Sequence, residues 1–208
     1  MKKMLKRMTA VLITAMCLSL VGCGGAGSKA SNPKDCKDWT EGVLEINGGV
    51  VVLGKTTIDE FEEVTGFTEE LQVNEWDTYH SYYLSDGYST IEVRTTTDDV
   101  IGYLQTTPVV SEDEGFDHIG VDPEHTTVVG PGGITLGVST VEDLEAYDQN
   151  TPNRYNTAIT SNENRSSYIA ILKDDNGNPT SDWFYSVEGD PETHVIYYMS
   201  IITGDYED

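Results

Sequence analysis

Positive charge is scarce in this chain: 12 Lys and Arg stand against 36 Asp and Glu. A nucleic-acid partner is excluded, because phosphate neutralisation needs clustered Lys and Arg. Extended electrostatic contact with an anionic membrane surface is disfavoured for the same reason. Cysteine is nearly absent, with three in 208 residues, too few for a disulfide framework. The chain has no apolar run of the roughly 20 residues that a transmembrane helix needs. Catalytic signatures are missing too: there is no Gly-x-Ser-x-Gly elbow, no His-Glu-x-x-His and no Gly-rich phosphate loop with Lys. Four histidines and three cysteines offer no evident nucleophile–base pair, and the carboxylates are too numerous for any one pair to carry weight. These absences argue for a chain that is not an enzyme and holds no cofactor.

What is present begins at the N-terminus. Lys2, Lys3, Lys6 and Arg7 form a positive segment, followed by a fifteen-residue apolar stretch from Met8 to Gly22. Its length and flanks suit a signal-peptide core rather than a membrane span. The stretch ends in Leu20-Val21-Gly22-Cys23, which resembles the lipobox of bacterial lipoproteins. The resemblance implies diacylglycerol on the Cys23 sulfur, cleavage after Gly22, and a palmitate-bearing protein held to the outer face of the cell membrane. Cleavage would remove Cys17 together with four positive charges and no negative ones. The mature chain then carries eight Lys and Arg against 36 Asp and Glu, a formal charge of −28. A charged partner is therefore expected to be cationic.

Residues 23–38 are rich in Gly, Ser, Ala, Asn, Pro and Lys and lack apolar periodicity, which predicts a flexible tether with an r.m.s. span of roughly 20 Å. Cys36 lies in this polar stretch beside Lys34 and Lys37. Its composition reads as an idle linker thiol, with an intermolecular disulfide or a redox role as the alternatives.

The body of the chain repeats itself. Residues 43–64 align without gaps on residues 126–147, matching Gly49 with Gly132, Leu53 with Leu136, Gly54 with Gly137, Thr57 with Thr140 and Glu62 with Glu145. In each copy two short β-branched runs flank a Gly-containing turn and predict a hairpin. A helix start follows. Thr57 with Glu60 forms a capping box, and Ser139 with Glu142, or Thr140 with Asp143, does the same in the second copy. Ile58, Phe61 and Val64, matched by Val141, Leu144 and Tyr147, predict one apolar stripe on each helix. Three alternating runs then predict a meander: Thr78–Leu84, Ser89–Thr95 and Val100–Thr106, and again Tyr168–Lys173, Trp183–Glu188 and Val195–Ile202. The expected fold is therefore α+β, two tandem β-hairpin–helix–antiparallel-meander repeats. Unit 1 spans residues 39–108, an acidic linker residues 109–125, and unit 2 residues 126–208.

Leu53-Gly54-Lys55-Thr56 with Phe61, and Leu136-Gly137-Val138-Ser139 with Leu144, resemble the motif of the tandem units in β-lactamase inhibitory proteins. They also resemble small outer-membrane lipoproteins of the SmpA/OmlA type. The resemblance implies a sheet-and-helix interaction module. The chain departs from it in having one helix per copy rather than two, and Lys55 and Val138 in place of the usual Met.

Three features compete as sites. Aromatics are abundant in the strands, and Tyr82, Tyr83, Tyr103, Trp183, Tyr185, Tyr197 and Tyr198 are the expected binding residues. Neighbours in a strand face opposite sides, so one of Tyr82 and Tyr83, and one of Tyr197 and Tyr198, lies off the helix-covered face. The Asp174–Asp182 run alternates oxygen ligands. Counted as an EF-hand loop, however, it has Pro179 at the sixth position and Tyr185 at the twelfth, so Asn176-Gly177 reads as a hairpin turn. The acidic segment Ser111–His125 includes His118 and His125 but has no tight ligand spacing, which favours a solvated linker. The leading expectation is a lipid-anchored binding module facing an envelope protein or ligand. A metal-ion or cationic-ligand-binding lipoprotein is the alternative, and a cell-wall hydrolase comes third.

Overall fold

The computed structural model describes residues 32–76, 78–106, 120–151 and 154–203. The expected signal segment and Cys23 lie outside these residues, as does most of the expected acidic linker. The fold is α+β and mostly antiparallel. Strands β1 (Val43–Ile46) and β2 (Gly49–Val52) precede helix α1 (Ile58–Thr65) and strands β3 (Glu69–Glu75), β4 (Tyr79–Ser85), β5 (Thr90–Thr96) and β6 (Ile101–Thr106). Beyond the linker come β7 (Val128–Val129), helix α2 (Val141–Asp148), and β8 (Arg154–Asn156), β9 (Thr160–Ser161), β10 (Ser166–Lys173), β11 (Pro179–Gly189) and β12 (Ile196–Thr203). No helix among the described residues is long and apolar enough to cross a membrane.

Both helices start where their caps predict. Thr57 accepts from the Glu60 amide while the Glu60 carboxylate accepts from the Thr57 amide, and Gly66 ends the helix at φ +82°. In the second copy Thr140, not Ser139, is the cap: Asp143 accepts from its amide at 2.8 Å and its hydroxyl at 3.2 Å. Ser139 is committed elsewhere, its hydroxyl accepting from the Thr135 amide. The predicted apolar stripes hold at their first two members and shift by one position at the third. Helix α1 buries Ile58, Phe61 and Thr65 while Val64 is exposed, and α2 buries Val141, Leu144 and Asp148 with Tyr147 only partly covered. Full burial of Phe61 or Leu144 stabilises by about 1.5–3 kcal/mol each.

The strands form two sheets. A small one has the order β2-β1-β7, and a nine-stranded one runs β3-β4-β5-β6-β12-β11-β10-β8, with β9 also pairing β10. The larger sheet is continuous across the chain because β6 pairs with β12, setting Tyr103 opposite Ile202, Leu104 opposite Ile201 and Gln105 opposite Ser200. Helices and small sheet pack on one face of it. Leu84, Ile91, Val93, Leu104, Tyr168, Tyr185, Val187, Met199 and Ile201 share one buried cluster with Ile46, Phe61 and Leu144.

Several expectations need correction. Each meander was expected to hold three strands, but β3 extends the first, and β8 and β9 flank the second. Ile134–Leu136 is not a strand; its hairpin survives as one bridge between Val129 and Thr135 beside a 3₁₀ turn at Pro131–Gly133. The tether does not run to Asp38. Pro33 is buried in a 3₁₀ turn and Cys36 is 2% exposed, its thiol donating to the Asp38 carbonyl. Trp39 is fully buried, and Arg154 lies over its ring at 5.2 Å while pairing with Asp38. Cys36 is thus a core thiol, shielded from a partner chain. The end of the linker is packed as well: Asp122 binds the Ser89 hydroxyl through its amide, and His125 stacks on Tyr88 at 4.3 Å. Ser111–His118 lie outside the described residues.

Candidate functional site

The large sheet is covered by helices on one face only, and among the described residues nothing lies over the other. Strand parity decides what that open face shows. Because Ile91 and Val93 point into the core, Glu92 and Arg94 point out, and because Tyr185 and Val187 point in, Phe184, Ser186 and Glu188 point out. The registers align these side chains in rows. One row runs Ser81, Arg94, Tyr103, Ile202, Phe184, Ile171 and Tyr155 across seven strands, from β4 to β8. The adjacent row runs Tyr83, Glu92, Gln105, Ser200, Ser186 and Ile169.

The first half of the face is organised by one ion pair. Arg94 Nε donates to Glu92 Oε1 at 2.8 Å, and the Ser81 hydroxyl donates to the same oxygen at 3.0 Å. Glu92 is only 4% exposed, a burial that a carboxylate tolerates when a cation and a donor compensate it. The Arg94 guanidinium lies over the Tyr103 ring at 4.5 Å and the Tyr79 ring at 5.6 Å, a cation–π geometry. Trp76 stacks on Tyr79 at 4.7 Å and extends the aromatic surface to the sheet edge. In the second half a shallow concavity of about 370 Å³ is walled by Tyr103, Phe184, Tyr198 and Ile171, with Gln105, Glu188 and Ser186 supplying polar atoms. Burial holds the Tyr103 and Tyr198 phenols above their ordinary range, and for Tyr198 the Glu188 and Glu92 carboxylates push the same way against the Ser200 hydrogen bond. Glu188 is itself paired with Arg165. Rings flanked by compensated charges and amide or hydroxyl groups can stack on and hydrogen-bond to a ligand.

The seven aromatics expected to bind divide between the faces. Tyr83, Tyr103 and Tyr198 lie on the open one. Tyr82, Trp183 and Tyr185 lie on the helix side, and the reason is registry: they pair with Val93, Thr203 and Ile201 in the inward-facing set. Tyr185 is wholly buried, its hydroxyl beside the Met199 sulfur at 3.8 Å, so it is a core residue. Tyr197 is exposed, also on the helix side, where it lines a second concavity of about 400 Å³ with Val121, Pro123 and Leu136. Sequence reasoning missed Phe184, Ile169, Ile171, Arg94 and Glu92. Their alternation with Tyr185, Ala170 and Val93 was the available signal.

The acidic turn is a hairpin connection. Asp174 Oδ1 accepts from the amides of Asn176 and Asn178, and Oδ2 accepts from the Asn178 side chain. Among the described residues no three His, Cys, Asp or Glu side chains gather as a metal site. His80, His125 and His194 each face one carboxylate, those of Asp99, Asp122 and Glu142. Comparison of the chain with protein families, with curated proteins and with solved structures finds no match.

Proposed function

We propose that this chain is a lipid-anchored, extracytoplasmic binding module that presents the open face of its large sheet to an envelope protein or ligand and performs no chemistry on it. The observation that carries this reading is the apolar row on the face away from both helices, where Tyr103 and Ile202 pack among their neighbours at 6% and 5% exposure, with half-buried Phe184 and exposed Tyr155 continuing the row. Beside it the exposed Tyr155 and Ile169, and the concavity walled by Tyr103, Phe184 and Tyr198, offer a ligand an apolar surface to cover. The anchor rests on the basic segment and Leu20-Val21-Gly22-Cys23, and the motif resemblance to interaction modules points the same way.

The module is two tandem units. Matching contacts in the two halves support this. Gly54 donates to Ile101 and Gly137 to Ile196, while Ile58 donates to Asp99 and Val141 to His194. Asp99 and His194 both hold positive φ. A Cβ on Gly49 would strike Val64 of α1, and one on Gly132 would strike Tyr147 of α2. The pairing between halves is reciprocal: Glu45 meets Val129 and Ile46 meets Val128. That is the pattern expected when two copies face each other across a local two-fold axis.

A photo-crosslinking residue in place of Tyr198 or Phe184 tests the open face in cells, with the exposed Val138 on the other side as control. A discrete adduct from the two face positions and none from Val138 is expected. Equal labelling from all three, or none from the face, would reject it.

A further inference from the structure

The large sheet ends at β3, and nothing among the described residues pairs with its outer edge. A free strand edge offers alternate backbone N–H and C=O groups in the geometry that another strand needs. A bulge at Leu71 interrupts this edge at one end, and beyond it residues 72–75 pair regularly with residues 83–80. Side chains on the helix-bearing side of β3 follow the order Glu70, Val73, Glu75, with Tyr82 opposite Val73. Leu71, Val73 and Trp76 are 38%, 38% and 47% exposed, unusual for an edge facing only water.

Neither Glu70 nor Glu75 forms an ion pair among the described residues. Burial, then the charges of Asp99, Glu70 and Glu75, raise the Tyr82 phenol above its ordinary range. The edge thus combines unpaired backbone, an apolar centre and flanking negative charge.

We propose that β3 is a strand-addition site for an extended basic segment of another protein, pairing with residues 72–75 and setting an apolar side chain beside Val73 between two basic ones, one opposite Glu75 and one reaching past the bulge towards Glu70. An added strand lies about 4.8 Å away, so Lys or Arg at alternate positions meets the two carboxylates while the residue between them covers Val73 and Tyr82. On the open side the segment would meet Gln72 and Asn74, which bond to each other at 2.9 Å. A second copy of this chain is a poor occupant, because self-pairing sets glutamates against glutamates, and like charges across strands destabilise. The site uses no residue of the aromatic row and stands independently of it.

The test uses the full lipidated chain in detergent and a labelled synthetic peptide that alternates threonine with lysine, valine and lysine, followed by fluorescence anisotropy. The peptide is expected to bind, and N-methylation of every second backbone nitrogen is expected to weaken it about tenfold or more. Glu70 and Glu75 are exposed, so the double variant E70K/E75K keeps its fold, checked by circular dichroism. It should lose the lysine peptide and gain the version carrying glutamate. Equal binding of parent and N-methylated peptides would reduce the effect to bulk attraction and overturn the proposal. So would failure of the parent peptide to bind at millimolar concentration, or self-association of the chain through β3.

Discussion

The Trp39 indole nitrogen donates to Asp148 Oδ1 at 3.2 Å, joining residues 109 positions apart. The same carboxylate accepts from the hydroxyls of Tyr168 and Thr151, each at 3.1 Å, and it is fully buried. It locks the segment next to the tether onto the end of α2 and onto β10.

Asp148→Ala should strand the Trp39 and Tyr168 donors at about 1–3 kcal/mol each, while Thr151 keeps its bond to the residue 148 carbonyl. Burial raises the Asp148 pKa, opposed by the hydrogen bonds from Tyr168, Thr151 and Trp39. The folded state therefore holds this proton more tightly than the unfolded chain does. Its contribution to stability falls as pH rises from about 4 through the raised value. Thermal unfolding across that window should show the slope in the wild type and a flatter one in Asp148→Asn. Identical slopes would assign the pH dependence to other groups.

A Cβ on Gly49 would sit 2.1 Å from the Val64 carbonyl oxygen, a backbone atom that cannot swing away. Gly49→Ala should cost about 1–3 kcal/mol, as overpacking does. Urea midpoints compared with the wild type measure it. A change below about 0.5 kcal/mol, the ordinary range for a surface substitution, would mean that α1 shifts freely on its hairpin.

The Cys36 thiol is pushed up to about 11 by burial and by the Glu41 charge. Only the thiolate is a strong nucleophile, so alkylation at pH 8 should be slow in the folded protein and fast in urea. It should accelerate as pH approaches the shifted value. Rapid labelling under native conditions would show that residues 33–41 open easily.

Cys23→Ala should abolish acylation, leaving the protein unprocessed or releasing it from membranes. Fractionation with mass spectrometry of the mature N-terminus reads this directly. Matching detergent partition of wild type and variant, with no lipid on either, would remove the anchor from the proposal.

Much of the fold is legible residue by residue. Thr57 with Glu60, and Thr140 with Asp143, mark both helix starts, because a cap is chemistry between residues three apart. The β-branched and aromatic runs at residues 79–85, 90–96 and 101–106 mark three strands, since the helix side of each carries the core residues Tyr82 and Leu84, Ile91 and Val93, and Leu104. Strand β3, Glu-Glu-Leu-Gln-Val-Asn-Glu, is not legible: it is mostly exposed, and its half-buried positions, Gln72 and Asn74, are polar. The site was half legible for a related reason. Parity states that Tyr82 and Tyr83 diverge, and that Tyr197 and Tyr198 diverge, but not which of each pair meets the core.

The sequence by itself determined the local matters: the basic N-terminal segment, the helix caps and the turn at Asn176-Gly177. These depend on residues within a few positions of one another. Only the tertiary structure decided that β6 pairs with β12 to make one sheet, that Tyr185 is core while Phe184 is surface, and that Cys36 and Trp39 are buried. Those outcomes rest on contacts such as Trp39 with Asp148 and Arg154 with Asp38, whose partners lie more than a hundred residues apart. No local periodicity encodes such pairs; the side chains acquire their environments only when the whole sheet has closed over them.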